Sequence, residues 1–179
     1  MQIPIALVGY LFAFLVAGMI FCYISVRLVT PRLQPFLPPP NPTPSRDMYK
    51  LYWRFGPGIV IAIFTLAPFI EELLFRFLPV LMCREWQWNV WGTLAVWFIT
   101  TLWFAYGHKE EKTLLPFPLM FFLWGSVLWA IMYYFDYWAA VAFHIGNNVI
   151  VAYDLLKVFK ERLLAGSIPK TKNDQPLGV

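Results

Sequence analysis

The chain has 179 residues, of which 60% are hydrophobic and 13% charged, and its formal net charge is +4 at pH 7. A soluble globular domain has about 25% charged residues, so this composition excludes that class and indicates an integral membrane protein. The basic residues flank the apolar runs, which makes them loop anchors, and the sequence therefore predicts no nucleic-acid partner.

Five apolar runs follow one another along the chain. Several extend to 18 or more residues, which at 1.5 Å per residue is enough to cross a hydrocarbon core about 30 Å thick. Their continuity is unlike the alternating pattern of an outer-membrane barrel strand. The sequence predicts an all-α, polytopic transmembrane helix bundle of about five spans, at about residues 3–29, 57–82, 88–107, 114–134 and 138–158.

The first run has no basic segment before it and is longer than the apolar part of a signal peptide, so we expect a retained first span. Seven prolines between residues 31 and 44 favour a stiff, extended connector, with a Pro-rich recognition site as the alternative. The predicted organisation is a first transmembrane helix (1–30), a Pro-rich cytoplasmic connector (31–56), a transmembrane core (57–158) and a basic cytoplasmic tail (159–179).

The basic residues also predict an orientation. If the amino terminus lies outside, twelve of the fourteen Lys and Arg residues fall on the inner side, after the first, third and fifth spans. The positive-inside rule then predicts an N-out, C-in protein of the cytoplasmic membrane. The same topology places Cys22 and Cys83 near opposite faces, so we expect no disulfide between them.

Three ionisable residues, Glu71, Glu72 and Arg76, interrupt the second span. Each such charge at mid-bilayer costs roughly 2.5–3.5 kcal/mol, so the cluster should face protein or water. Glu72 and Arg76 are four residues apart and can pair along one helix face, whereas Glu71 points about 100° away. Pairing would hold Glu72 ionised and leave Glu71 as the candidate base. The alternative is a buried ion pair that only fixes helix packing.

A proline precedes this cluster by one turn. Pro68 has no N–H to donate to the carbonyl of Phe64. We therefore expect a kink or a bound water close to Glu71.

Further polar positions lie at the end of the third span and within the fifth. His108 precedes the charged residues 109–112 and would by itself be an interfacial histidine. His144 and Asn148 project from one helix face, where they can bind a metal, donate hydrogen bonds to an oxyanion or simply join helices. Small residues including Gly146 fall on the opposite face and would permit close helix packing.

The spans predict different depths for these groups. Counting 1.5 Å per residue from the cytoplasmic end, Glu71 and His144 lie roughly 20 Å deep and His108 lies near the inner surface. We therefore expect either a third helix that starts higher, or a charged segment after His108 that lines a water-filled cavity open to the cytosol.

Taken in chain order, the three constellations resemble the CAAX protease and bacteriocin-processing family (CPBP, also called Abi) of intramembrane endopeptidases. They read E-E-x-x-x-R at Glu71, Glu72 and Arg76, F-x-x-x-H at Phe104 and His108, and H-x-x-x-N at His144 and Asn148. The resemblance covers about residues 60–152. The chain departs from the family in having Phe77 where a small residue is usual, and in having fewer spans than family members commonly have.

The resemblance implies an intramembrane endopeptidase that acts on lipidated, amphipathic or membrane-associated peptides, such as prenylated C-termini or bacteriocin precursors, through a site open to the cytosol. It implies that Glu71, aided by His108, activates a water, that His144 and Asn148 stabilise the oxyanion, and that Arg76 orients the acidic pair. We expect no required cofactor, although Glu71, His108 and His144 would also suit a zinc ion. The small number of spans leaves a homo-oligomer open.

Two other functional classes remain open on the sequence. A noncatalytic bacteriocin-immunity or membrane scaffold protein would use the polar cluster only to hold helices or to bind a peptide. A small ion or solute carrier would use the carboxylates as a proton relay. The carrier is the weaker alternative, because the sequence lacks paired repeats and broken helices.

Overall fold

The computed structural model describes residues 5–29, 51, 52, 54–108 and 116–164. Within these ranges the chain forms helices joined by short turns and contains no strand, so the predicted all-α class is confirmed. The Pro-rich segment up to residue 50, the charged residues 109–112 and the tail beyond residue 164 lie outside the described residues. The interpretations given to them stay predictions.

The helices fall in the order that the apolar runs predict. Helix α1 is followed by a π-helical turn, π1, and α2 and α3 are joined by a second π-helical turn, π2, into one continuous rod. The bounds are Ile5–Ile24 for α1, Ser25–Val29 for π1, Pro57–Glu72 for α2, Leu73–Phe77 for π2, Leu78–Glu85 for α3, Val90–Gly107 for α4, Pro116–Tyr134 for α5 and Tyr137–Leu164 for α6.

Four helical stretches of the described chain are long and apolar enough to cross a membrane, namely Ile5–Ile24, Pro57–Glu85, Val90–Gly107 and Tyr137–Glu161. Helix α5 contributes a shorter apolar stretch, Phe121–Tyr134. Each predicted span thus corresponds to a helix, and the polytopic bundle is confirmed. The direction in which the bundle crosses the bilayer stays a prediction from the basic residues.

Short polar caps begin two of the helices. The Asn89 side chain accepts a hydrogen bond from the N–H of Gly92 at 2.9 Å at the start of α4. Asp136 Oδ1 accepts one from the N–H of Ala139 at 2.8 Å at the start of α6. Each cap satisfies a helix-terminal donor that hydrocarbon could not satisfy. Asn89 and Asp136 therefore fix the points at which the chain turns back into the bundle.

Helix α1 packs along α6 through small residues on both helices. A Cβ added at Gly18 would collide with the carbonyl oxygen of Phe143, and one added at Gly146 would collide with that of Leu15. Backbones approach this closely only where the side chain is a hydrogen atom. The small-residue face predicted opposite His144 is therefore a helix-packing surface.

Polar contacts join α1 to α6 near both ends of α1. The Tyr10 hydroxyl donates to Asp136 Oδ2 at 2.8 Å. Arg27 Nη2 forms an ion pair with Asp154 Oδ1 at 3.3 Å. Together with the glycine contacts, these bonds fix the register of α1 along α6.

An apolar core lies where α3, α5 and α6 meet. Its buried members include Val80, Leu128, Met132 and Phe143. Cys22 and Cys83 are free, buried thiols. His144 follows Phe143 directly, so the polar site begins at the edge of this core.

Candidate active site

The acidic cluster lies at the junction of α2 and π2. Glu72 and Arg76 are fully buried, with 0% of each residue exposed. Arg76 Nη1 donates to Glu72 Oε1 at 3.1 Å, which is the pairing that their spacing predicts. Single π-helical turns inside α-helices occur frequently at functional sites, and π2 begins directly after Glu72. The buried guanidinium is thus neutralised within its own rod.

His144 connects α6 to both glutamates. Its Nδ1 lies 2.7 Å from Glu72 Oε1, and its Nε2 lies 3.5 Å from Glu71 Oε2. An ionised carboxylate only accepts hydrogen bonds, so His144 Nδ1 carries a proton and donates a hydrogen bond to Glu72. Nε2 is therefore the nitrogen that faces Glu71, as an acceptor when the ring is neutral and as a donor when it is protonated.

His108, the residue that ends α4, approaches Glu71 from the other side. Its Nδ1 donates to the carbonyl oxygen of Phe104 at 2.9 Å, and its Nε2 lies 3.9 Å from Glu71 Oε1. The depth difference of roughly 20 Å counted from the spans is therefore wrong. That count assumed that α2 and α4 reach the same inner surface, whereas α4 ends at Gly107, level with Glu71.

Glu71 differs from its neighbour in both partners and exposure. Its side chain is 26% exposed, and each of its two oxygens faces the Nε2 of a different histidine. The Oε1 atom of Glu72 accepts hydrogen bonds from both Arg76 and His144. The two carboxylates therefore have different surroundings: Glu72 is enclosed in a network, and Glu71 is partly accessible.

Asn148 uses its amide on the backbone of α2. Its Nδ2 donates to the carbonyl oxygen of Phe64 at 3.1 Å. Its Oδ1 accepts from Nδ2 of Asn147 at 3.4 Å. The sequence predicted a kink or a water at the carbonyl that Pro68 leaves without a donor, and the partner that the structure gives it is this amide.

The surroundings of the site match a known protein family. A family model described as Rce1-like, type II CAAX prenyl endopeptidase, matches residues 53–150, which is more than half of the chain. The chain belongs to this Rce1-like family. Membership confirms the resemblance seen in the three motifs and places the chain among CAAX-type intramembrane endopeptidases. No curated protein and no solved structure matches the chain.

All residues of the three motifs in this Rce1-like protein lie within the matched segment, from Glu71 to Asn148. The structure brings Glu71, Glu72, Arg76, His108 and His144 into one cluster. Asn148 lies one helical turn beyond His144 and contacts the same rod at Phe64. Helix α1 lies outside the match and packs against α6, the helix that carries His144.

The donor set of the Rce1-like site has the chemistry of a zinc site, with two imidazoles and a carboxylate. The Nε2 atoms of its two imidazoles lie 3.5 and 3.9 Å from the Glu71 oxygens, although no group of three His, Cys, Asp or Glu side chains among the described residues has the geometry of a metal site. A zinc ion at Glu71, His108 and His144 therefore stays a prediction.

Helix α5 supplies two contacts to this site that the sequence did not single out. The Trp124 ring lies edge-on to His144 with centroids 4.6 Å apart. A Cβ at Gly125 would lie 3.1 Å from Arg76 Nη2 and 3.2 Å from the Phe104 ring. Tryptophan and glycine are ordinary residues of an apolar span, so no local signal distinguishes these two positions from their neighbours.

An apolar groove of about 260 Å³ lies between α2 and α6, about two helical turns along α2 from Glu71. Its lining residues are Ile61, Phe64 and Thr65 of α2, with Val149, Ala152, Tyr153 and Leu156 of α6. None of these side chains is charged. The groove shares Phe64 with the Asn148 contact and lies on the side of α2 that precedes Pro68.

Proposed function

We propose that this protein hydrolyses peptide bonds of lipidated or membrane-associated peptides, with Glu71 as the base that activates a water. The observation that carries the proposal is the position of Glu71, whose two oxygens lie 3.5 Å from His144 Nε2 and 3.9 Å from His108 Nε2. A carboxylate with an accessible face and two adjacent imidazoles can hold a water by hydrogen bonds and accept its proton.

In the first step, the water held by Glu71 and His108 attacks the carbonyl carbon of the scissile bond, and its proton passes to a Glu71 oxygen. The carbonyl π electrons move to the oxygen and form a tetrahedral oxyanion. His144, which Glu72 holds through Nδ1, can donate from Nε2 to this charge when its ring is protonated. The proton held by Glu71 then passes to the amide nitrogen as the C–N bond breaks and the oxyanion electrons re-form the carbonyl. This releases an amine and a carboxylic acid, and the acid then loses its proton to the amine or to water.

Glu72 and Arg76 act on this reaction through other groups. Glu72 holds His144 by Nδ1, and Arg76 neutralises Glu72 within the buried rod. Neither residue is exposed, so neither reaches a substrate. Removing one partner would leave the other charge buried and unpaired, which is strongly destabilising. Both are therefore positioning residues.

The proposed substrate class is a prenylated C-terminal peptide. Type II CAAX prenyl endopeptidase is the description of the family to which the chain belongs. The uncharged groove between α2 and α6 supports a substrate that carries an apolar chain. The excess of basic residues after the odd-numbered spans supports an N-out, C-in protein whose site opens to the cytosol.

Glu71→Gln tests the base directly. The variant keeps the size of the side chain but cannot accept the proton, so we expect cleavage of a fluorogenic farnesylated CAAX peptide in proteoliposomes to fall by roughly 10²- to 10⁴-fold. Glu85→Gln, at an exposed position of the same rod, is the matched control and should retain wild-type cleavage. A strong metal chelator should leave the wild-type rate unchanged if no zinc takes part.

Three outcomes would reject the proposal or part of it. Full cleavage by Glu71→Gln would reject Glu71 as the base. A wild-type protein that cleaves nothing, together with full biological function of Glu71→Gln, would instead support the noncatalytic immunity or scaffold alternative, in which the buried Glu72–Arg76–His144 network only holds the helices together. Loss of wild-type activity in chelator, with stoichiometric zinc in the purified protein, would reject the metal-free reaction while keeping the hydrolase.

A further inference from the structure

We propose that Phe121 and Trp124 of α5 are positioning residues for the two histidines of the site. Their rings hold the imidazoles so that each Nε2 faces Glu71. The inference rests on the proposed hydrolase function and deepens it, because it names what orients the two imidazoles. Helix α5 carries none of the three motifs, so its part in the site follows from the contacts of the structure alone.

A single hydrogen bond does not fix the orientation of an imidazole ring. His108 is bonded at Nδ1 to the Phe104 carbonyl, and His144 is bonded at Nδ1 to Glu72. The torsion that turns a histidine ring about its bond to Cβ is broad, so a ring held at Nδ1 can still tilt. The separations of 3.9 and 3.5 Å between these Nε2 atoms and Glu71 therefore need support from packing.

Phe121 supports the ring of His108 by its face. The two rings are stacked, with centroids 4.9 Å apart and planes inclined by 20°. The Phe104 ring contacts the same imidazole, with centroids 4.3 Å apart and planes inclined by 49°. His108 thus packs against aromatic rings of both α4 and α5, and a tilt of its imidazole would break the stack with Phe121.

Trp124 supports the ring of His144 by a perpendicular contact. The two ring planes are inclined by 83°, with centroids 4.6 Å apart. The indole is itself stacked on the Phe104 ring at 6.0 Å, so it is held in place from α4. Only 3% of the His144 side chain is exposed. A turn of this imidazole would therefore have to displace Trp124, and edge-to-face contacts of this kind prefer one geometry.

The two aromatic residues are three positions apart on α5, so they present one surface to both imidazoles. Gly125 follows Trp124, and a Cβ there would lie 3.1 Å from Arg76 Nη2. The missing side chain lets α5 lie close enough for the ring contacts. Helix α5 therefore sets the two imidazoles relative to each other on either side of the base, where a misplacement of 1 Å can cost roughly 10²-fold in rate.

Substitutions that remove or keep each ring test this task. Phe121→Leu and Trp124→Leu keep an apolar side chain but lose the ring, so we expect kcat for the farnesylated reporter to fall by roughly 10- to 100-fold in each. Phe121→Tyr and Trp124→Phe keep a ring and should recover most of this loss. Trp124 Nε1 has no hydrogen-bond partner among the described residues, so Trp124→Phe breaks no hydrogen bond there.

A double-mutant cycle with His108→Ala separates orientation of the imidazole from general support of the fold. If Phe121 acts through His108, Phe121→Leu should cost nothing further in kcat once the imidazole is gone. A ring that only fills the bundle would cost the same factor in both backgrounds. Phe122→Leu is the matched control, because this neighbouring ring packs on Trp97 and Phe98. It should cleave normally and show no coupling to His108.

Thermal unfolding of the same proteins in detergent provides a readout that does not require proteolysis. The midpoints for Phe121→Leu and His108→Ala should be non-additive even if the wild type cleaved no prenylated peptide, an outcome that would reject only the proposed function. An additive cycle in kcat or in the midpoint would overturn the inference. Full cleavage by either leucine variant, or leucine-like rates in Phe121→Tyr and Trp124→Phe, would overturn it as well. If a leucine variant does not accumulate, methionine takes its place, because its flexible side chain adapts to the same gap.

Discussion

Phe104 contacts residues of two motifs, Arg76 through its ring and His108 through its backbone carbonyl. The guanidinium carbon of Arg76 lies 3.8 Å from the centroid of the Phe104 ring, and the Phe104 carbonyl accepts from His108 Nδ1 at 2.9 Å. A cation over an aromatic face is worth about 2 kcal/mol when it is removed from water. Phe104→Leu keeps the carbonyl but removes the ring, which also lies 4.3 Å from the His108 ring, centroid to centroid. It should therefore lower kcat by roughly thirtyfold in the farnesyl-peptide assay, because Arg76 and His108 both lose their contact with this ring. Phe98→Leu, 49% exposed on the same helix, is the control and should cleave normally; equal rates for the two variants would contradict this role of Phe104.

At the scale of elements, α1 supports the helix that carries His144 although it lies outside the matched family segment. Gly18 faces the Phe143 carbonyl so closely that no side chain fits, whereas a Cβ at Gly9 would meet nothing within 4 Å. Gly18→Val should lower the thermal unfolding midpoint in detergent and reduce cleavage, because overpacking costs typically about 1–3 kcal/mol. Gly9→Val on the same helix should change neither quantity. Similar midpoints for the two variants would show that α1 and α6 do not depend on this contact.

At the scale of the whole molecule, the distribution of charge gives the bundle its predicted direction. Twelve of the fourteen Lys and Arg residues lie after the first, third and fifth spans, so reporters fused after residues 45 and 175 should both read cytoplasmic. A reporter inserted at Gln87, in the turn between α3 and α4, is the control for the opposite side of the membrane and should read extracytoplasmic. An extracytoplasmic reading at residue 45 or 175 would reverse the orientation and move the site's opening to the other face.

Features that depend on local spacing could be predicted from the sequence. The lengths of the apolar runs predict the helices, and a separation of four residues predicts the bond between Glu72 and Arg76. The small-residue face at Gly146 follows from helical periodicity in the same way.

Features that depend on how far the helices are shifted along their axes relative to one another could not be predicted. The depth of His108 depends on where α4 ends relative to α2, and the partner of the Phe64 carbonyl lies 84 residues away at Asn148. Gly125 leaves room for the guanidinium of Arg76, which lies against it. The residues around Gly125 in the sequence do not indicate this contact. Spacing within one helix carries no information about such contacts between helices.

The unequal lengths of the rods also have a consequence for the surrounding lipid. Val90–Gly107 has 18 residues and Pro57–Glu85 has 29, which at 1.5 Å per residue gives lengths of about 27 and 43 Å. No single acyl-chain length matches both, so we expect the longer helix to tilt and the leaflet to thin around the shorter one, which relieves the hydrophobic mismatch. Thinning at the end of α4, beside His108, would bring headgroup hydration toward Glu71 without a separate channel.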